Sequence, residues 1–194
     1  MDRAFRGVLA AVLLLTAAVV PAALLTDRPI WAVDAVVLGT AYYLVYRLRR
    51  TLVLTPVLFA MLGLLVLAHC WSVLGMFGMS FFGLEWDTYI HTYSNFVVGL
   101  MAYRYMGKFE TGGLERLVAA FLLVLGVGLT NELVEFVGYR IGGEGEGLFL
   151  LGPGDIGATN AFENLMTDFL YDTLGALAGL AAGFAAWRDQ APGL

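Results

Sequence analysis

Asn164, Asp168 and Asp172 recur every four residues, and Gly175 and Gly179 carry the same stripe onward. A helix puts such residues on one face. Three other stretches hold comparable groups: His69, the pair Asp87 and His91 followed by Asn95 and Gly99, and Asn131-Glu132-Leu-Val-Glu135. Carboxylate, imidazole and amide ligands in one place, with no thiolate, suit Zn²⁺, Mn²⁺ or Fe²⁺, and a carboxylate-only subset suits Mg²⁺ or Ca²⁺. The candidate ligands of a divalent metal are Asp87, His91, Glu132, Glu135, Asp168, Asp172, His69 and Asn164. Asp87, His91, Glu132, Glu135 and Asp168 are the candidate catalytic residues, holding the cation or moving protons as general acids and bases. Asp172, His69 and Asn164 would support them. The single cysteine, Cys70, leaves neither a disulfide framework nor a thiolate cluster.

Each group also has a structural role to set against the chemical one. Asp87 stands where a helix starts and could cap it, and Asp34 could cap or sit in headgroup water. His69, beside Cys70 and Trp71, could be a packing residue, and Glu132 and Glu135 could pair with Arg140. Asn95 and Asn164 could join helices by hydrogen bonds, while Gly175 and Gly179 suit close helix packing. Asp168 and Asp172 lie too deep in their segment for a cap to explain them.

The elements that must position these groups follow from composition. Hydrophobic residues make up 60% of 194, and charged residues 14%; mean hydropathy is +0.79. That excludes an ordinary soluble domain and predicts one integral membrane domain, residues 1–194. A net charge of −5 argues against nucleic acid as a partner and leaves the lipid bilayer as the main one. Six segments, near 6–25, 31–48, 52–73, 87–106, 114–139 and 162–187, approach the roughly 20 residues a spanning helix needs. The first follows Arg3 and Arg6 as a signal peptide would, but its apolar run exceeds the usual h-region, so a retained helix is expected. The expected fold is all-α, a polytopic bundle of about six transmembrane helices.

Basic residues orient the bundle. Arg3, Arg6, Arg47, Arg49, Arg50, Arg104, Lys108, Arg116 and Arg188 fall on one side of such a six-span chain, and only Arg28 and Arg140 on the other. Both termini are therefore expected inside, in a cell (inner) membrane, with the acids and histidines in the outer half of the bilayer. Trp31, Trp71 and Trp86 are expected at the outer interface and Trp187 at the inner one. The glycine-rich stretch 142–159 has no phosphate-cradle spacing, and its Leu148–Leu151 tip is expected to touch the membrane or cap the bundle. Six carboxylates (Asp34, Asp87, Glu132, Glu135, Asp168 and Asp172) would converge with both histidines. Ionised together in a poorly hydrated bundle they would repel, so protonation, water or a bound cation must relieve them.

In their order, His69 before Gly75, Asp87-x-x-x-His91, Glu132-x-x-Glu135 and Asp168 ahead of Gly175 resemble the YjdF-like inner-membrane proteins of unknown function. Asn131-Glu-Leu-Val-Glu-Phe136 is similar to the third block of that family and Asn164-Leu-Met-Thr-Asp168 to its last. Asn164 stands where the family has an acid, and the aromatic Tyr-Thr-Tyr after the first Gly is absent. The VanZ-like membrane proteins are a looser likeness through Asp87/His91, Glu132 and Asp168/Asp172/Gly175; that likeness implies a link to the cell envelope. The leading expectation is a divalent-cation site acting on a lipid-linked or envelope substrate by hydrolysis or transfer. A proton- or cation-coupled transporter using the same acids, and a non-catalytic membrane scaffold, are the alternatives.

Overall fold

A computed structural model describes residues 2–109, 112–142 and 161–187. α1 (Asp2–Ala17) and α2 (Val19–Leu25) run on as one span of 24 residues. α3 (Pro29–Leu48), α4 (Pro56–Trp71), α5 (Trp86–Met106), α6 (Gly113–Gly142) and α7 (Ala161–Trp187) complete an all-α bundle. Proline fixes two of the starts, since Pro29 and Pro56 stand in the first turn, where a missing N–H costs nothing. Thr55 caps α4 by accepting from the Leu58 N–H at 3.2 Å. The helix therefore begins four residues later than hydropathy alone suggests for the segment at 52–73.

Between α4 and α5 the chain makes two single-turn 3₁₀ helices and a small hairpin, β1 (Ser80–Phe81) with β2 (Leu84–Glu85). Phe82 and Gly83 form its two-residue turn with φ of 52° and 83°. Positive φ at both turn positions matches the right-handed strand twist. Phe82 projects fully from the surface.

Among the described residues, five helical spans are long and apolar enough to cross a membrane: Asp2–Leu25, Pro29–Leu48, Pro56–Leu74, Gly113–Val137 and Leu165–Trp187. α5 is 21 residues long but less apolar, since it carries Asp87, His91, Ser94 and Asn95. It packs against α4, α6 and α7, which cover its polar face, so the least hydrophobic helix is an inner one. The apolar side chains gather in two clusters. Phe5, Trp31, Tyr42 and Phe59 centre one on α1–α4; Tyr103, Val124, Ala176 and Leu180 centre the other on α5–α7.

Gly175 and Gly179 set how closely α7 approaches α5. A Cβ at Gly175 would collide with the Thr92 carbonyl oxygen, and one at Gly179 with that of Phe96. Gly99 of α5 answers from the other side, where a Cβ would lie 3.1 Å from the Ala176 oxygen. This small-residue seam lets the two backbones touch.

The basic residues hold one end of the bundle together. Arg49 reaches Asp2 at 3.3 Å, Arg104 Nε donates to the Val53 carbonyl at 2.7 Å, and Lys108 Nζ to that of Thr51 at 3.1 Å. Arg116 Nε donates to Tyr103 O at 2.9 Å, and the Arg104 guanidinium lies 5.3 Å from the Trp187 ring centre. The start of α1 and the end of α7 thus share this basic end. Arg188 and the Leu148–Leu151 tip lie outside the described residues.

Two expectations about the other end need correction. Trp31 is not an interfacial anchor; it is buried against His69 and Phe77, with ring centres 5.6 Å away in both cases. Asp34 is neither a cap nor wetted by headgroups. It stands more than a turn inside α3 and is fully buried.

Candidate functional site

At the opposite end of the bundle, α5, α6 and α7 bring their polar groups to one imidazole. His91 is buried, and three carboxylates surround it. Its Nδ1 lies 3.0 Å from Asp172 Oδ1 of α7 and 3.7 Å from Glu132 Oε1 of α6. Its Nε2 lies 3.6 Å from Asp87 Oδ2, one turn back on α5. An ionised carboxylate only accepts, so the short contact assigns the proton to Nδ1. In the neutral imidazole Nε2 then carries the lone pair, and it points toward Asp87.

Asn95, one turn beyond His91, donates from Nδ2 to the same Asp172 Oδ1 and to the His91 carbonyl. With both donors on Oδ1, Asp172 Oδ2 has no hydrogen-bond partner among the described residues, and neither has Asn95 Oδ1 nor Glu132 Oε1. All three atoms are buried acceptors, so leaving them bare carries a full desolvation cost, about 1–3 kcal/mol each and more for a charge. Gly128 on α6 makes room for Asp172, since a Cβ there would lie 2.5 Å from Oδ2. Sequence reasoning missed Gly128; a glycine within an apolar helical run was its only signal.

The remaining candidates fall around this centre. Asp168 is buried on α7, and one ligand atom from each of Asp87, His91 and Asp168 lies within 4.8 Å of the others. The same separation holds for His91, Glu132 and Glu135. Two ligands about 2.0–2.2 Å from one Zn²⁺-sized ion can lie at most about 4.4 Å apart, so small side-chain movements close either set. Glu135 accepts from Asn131 Nδ2 at 2.7 Å. Arg140 instead stacks on Phe136, its guanidinium 5.9 Å from the ring centre. Just before α5, Glu85 is held above the usual carboxylate range by its burial and by the charge of Asp87. The side chain of Asn164 lies outside the described residues.

His69 stands apart from the His91 groups. Its Nε2 lies 3.8 Å from Asp34 Oδ2, so the two histidines divide the six acids between them. Both histidines nevertheless line one cavity of about 280 Å³. Asp87, Asn95, Asn131, Glu135 and Asp172 also face it, and leucines and valines of α3 and α4 form the wall opposite. That apolar wall was not anticipated from the sequence.

Comparison with known proteins reaches as far as a family. Residues 5–189 match the family described as predicted membrane protein DUF2238. The chain belongs to that family. No curated protein matches it, and no solved structure does. The DUF2238 match bears out an uncharacterised membrane family but does not extend to the YjdF-like or VanZ-like names. As a multi-pass member of DUF2238 the chain meets the lipid bilayer along its outer helix faces.

Proposed function

We propose that this DUF2238 protein holds a divalent cation between α5, α6 and α7 and uses it to hydrolyse or transfer a lipid-linked or envelope substrate. One observation carries the reading. His91 Nδ1 is held by Asp172 at 3.0 Å, which leaves Nε2 facing Asp87 Oδ2 at 3.6 Å, with ligand atoms of Asp87, His91 and Asp168 within 4.8 Å of one another. A cation bound there would take the place of any Nε2 proton and offset the charge of the carboxylates. The pattern, a metal-facing imidazole whose other nitrogen donates to a carboxylate, orients a ligand and raises its basicity. Asp87, His91 and Asp168 form the ligand set, while Glu132 lies on the Nδ1 side that Asp172 already occupies. Because the set contains an imidazole, Zn²⁺, Mn²⁺ or Fe²⁺ fits better than Ca²⁺ or Mg²⁺.

When bound, such a cation would polarise a carbonyl or lower the pKa of water. The chain's own residues do the rest. Asp172 holds His91 in its tautomer, Asn131 orients Glu135, and the cavity carboxylates accept or return protons. By the positive-inside rule the basic end, where α1 starts and α7 ends, would face the cytoplasm, and the site would then lie in the outer half of an inner membrane.

Element analysis of purified protein tests the reading. About one equivalent of transition metal in the wild type, and loss of it in Asp168→Ala, is the expected result; no metal in either contradicts it. A transporter reading needs a polar path onward from the site, and the deeper cavity wall is apolar at Val98 and Val127.

A further inference from the structure

The half of the cavity beyond the carboxylates plays no part in holding a cation. Leu38 and Val45 of α3, Leu62 and Val66 of α4, Val98 of α5 and Val127 of α6 line it. Leu38 and Val45, and Leu62 and His69, stand seven residues apart, about 10 Å along a helix. Each helix orders its lining residues in the same sense: Leu62 leads to His69, Val98 is preceded by Asp87 and His91, and Val127 leads to Asn131 and Glu135. The cavity is therefore polar at one end and oily at the other, the shape an amphiphile requires.

The head of that amphiphile is restricted by charge. Among the described residues no Lys or Arg lines the cavity, and the sequence has none in 51–103, 117–139 or 141–187. A phosphate head would face the carboxylates of Asp87, Glu135 and Asp172, with one cation to offset them and no lining guanidinium or ammonium to receive it. We infer that the substrate is a single-chain amphiphile whose reacting group is an uncharged carboxylic ester or amide, its hydrocarbon chain lying in the apolar limb. This rests on the hydrolytic reading above. The oxygen of water adds to the carbonyl carbon while its proton passes to a cavity carboxylate. The carbon–oxygen or carbon–nitrogen bond then breaks, the leaving atom takes that proton back, and a carboxylic acid departs with an alcohol or amine.

The test uses the full chain in lipid nanodiscs, its metal content measured first. Palmitoylglycerol and hexadecyl phosphate share a chain length and differ in the head. Metal-loaded protein is expected to release palmitate from the first and no inorganic phosphate from the second. Leu62→Trp, which fills the limb, is expected to slow palmitoyl release about tenfold or more while sparing a butanoyl ester; Val127→Phe repeats the test from the facing helix. Release of phosphate, turnover indifferent to both substitutions and to chain length, or no turnover of either probe by metal-loaded protein overturns the inference. Should the protein hold no metal, the cation centre fails instead, and native mass spectrometry then decides the substrate class. Bound palmitoylglycerol in preference to hexadecyl phosphate sustains it, and the reverse, or neither bound, overturns it.

Discussion

Asp172 Oδ1 lies 3.0 Å from His91 Nδ1, although 81 residues separate the two in the chain. The contact exists because Gly175, less than a turn beyond Asp172, lets α7 press on the α5 backbone. Replacing Asp172 by Asn keeps the volume and removes the charge that fixes His91 as an Nδ1–H donor. Asp172→Asn is expected to lower metal affinity about 10–100-fold, read by titrating chelated Mn²⁺ or Zn²⁺ into the apoprotein, with the thermal midpoint little changed.

Gly128 supplies an internal control. In Gly128→Ala the new methyl would meet Asp172 Oδ2, whereas Gly126 on the same helix has nothing within 4 Å of an added Cβ. Metal affinity should drop about tenfold in the first, whereas Gly126→Ala should leave it unchanged and raise stability by up to about 1 kcal/mol. Equal effects of the two would mean that the space beside Asp172 has no special use.

The seam between α5 and α7 should be stiff. Gly175→Ala drives a Cβ onto the Thr92 carbonyl, a backbone atom that cannot swing aside. Overpacking of this kind costs about 1–3 kcal/mol. Thermal unfolding in detergent should show a lowered midpoint, accompanied by loss of bound metal because the seam also positions Asp168 and Asp172.

Much of this centre was legible from spacing alone. Asp87 with His91, Glu132 with Glu135, and Asp168 with Asp172 each stand three or four residues apart, so helix geometry fixes their shared faces before any packing is known. The glycine stripe at 175 and 179 could be read in the same way. Distances across helices could not, since they depend on how closely the backbones approach. That is why His69 and Asp34 emerge as a pair apart from His91, and why Trp31 is inside rather than at an interface. The hairpin at 80–85 escaped too: two-residue strands leave too few positions for an alternating pattern. Hydropathy also ranks α5 as the weakest span, because a helix lined with site residues must be shielded by its neighbours.

Orientation has its own test. Cys70 is buried, and the sequence has no other cysteine. In a Cys70→Ser background, Phe82→Cys at the exposed hairpin turn should react in intact cells with a membrane-impermeant maleimide. Arg50→Cys, at the exposed basic end, should react only after permeabilisation. The opposite pattern would put the carboxylate centre on the cytoplasmic side.

The central claim is that His91 is a metal ligand held by Asp172. Pulsed electron paramagnetic resonance on protein loaded with one equivalent of Mn²⁺ reads it most directly, because a coordinated imidazole nitrogen modulates the echo. The account predicts that modulation in the wild type, its loss in His91→Gln, and its retention in His69→Gln. Free, fully hydrated Mn²⁺ in the wild-type sample, or nitrogen modulation that survives His91→Gln, would contradict it.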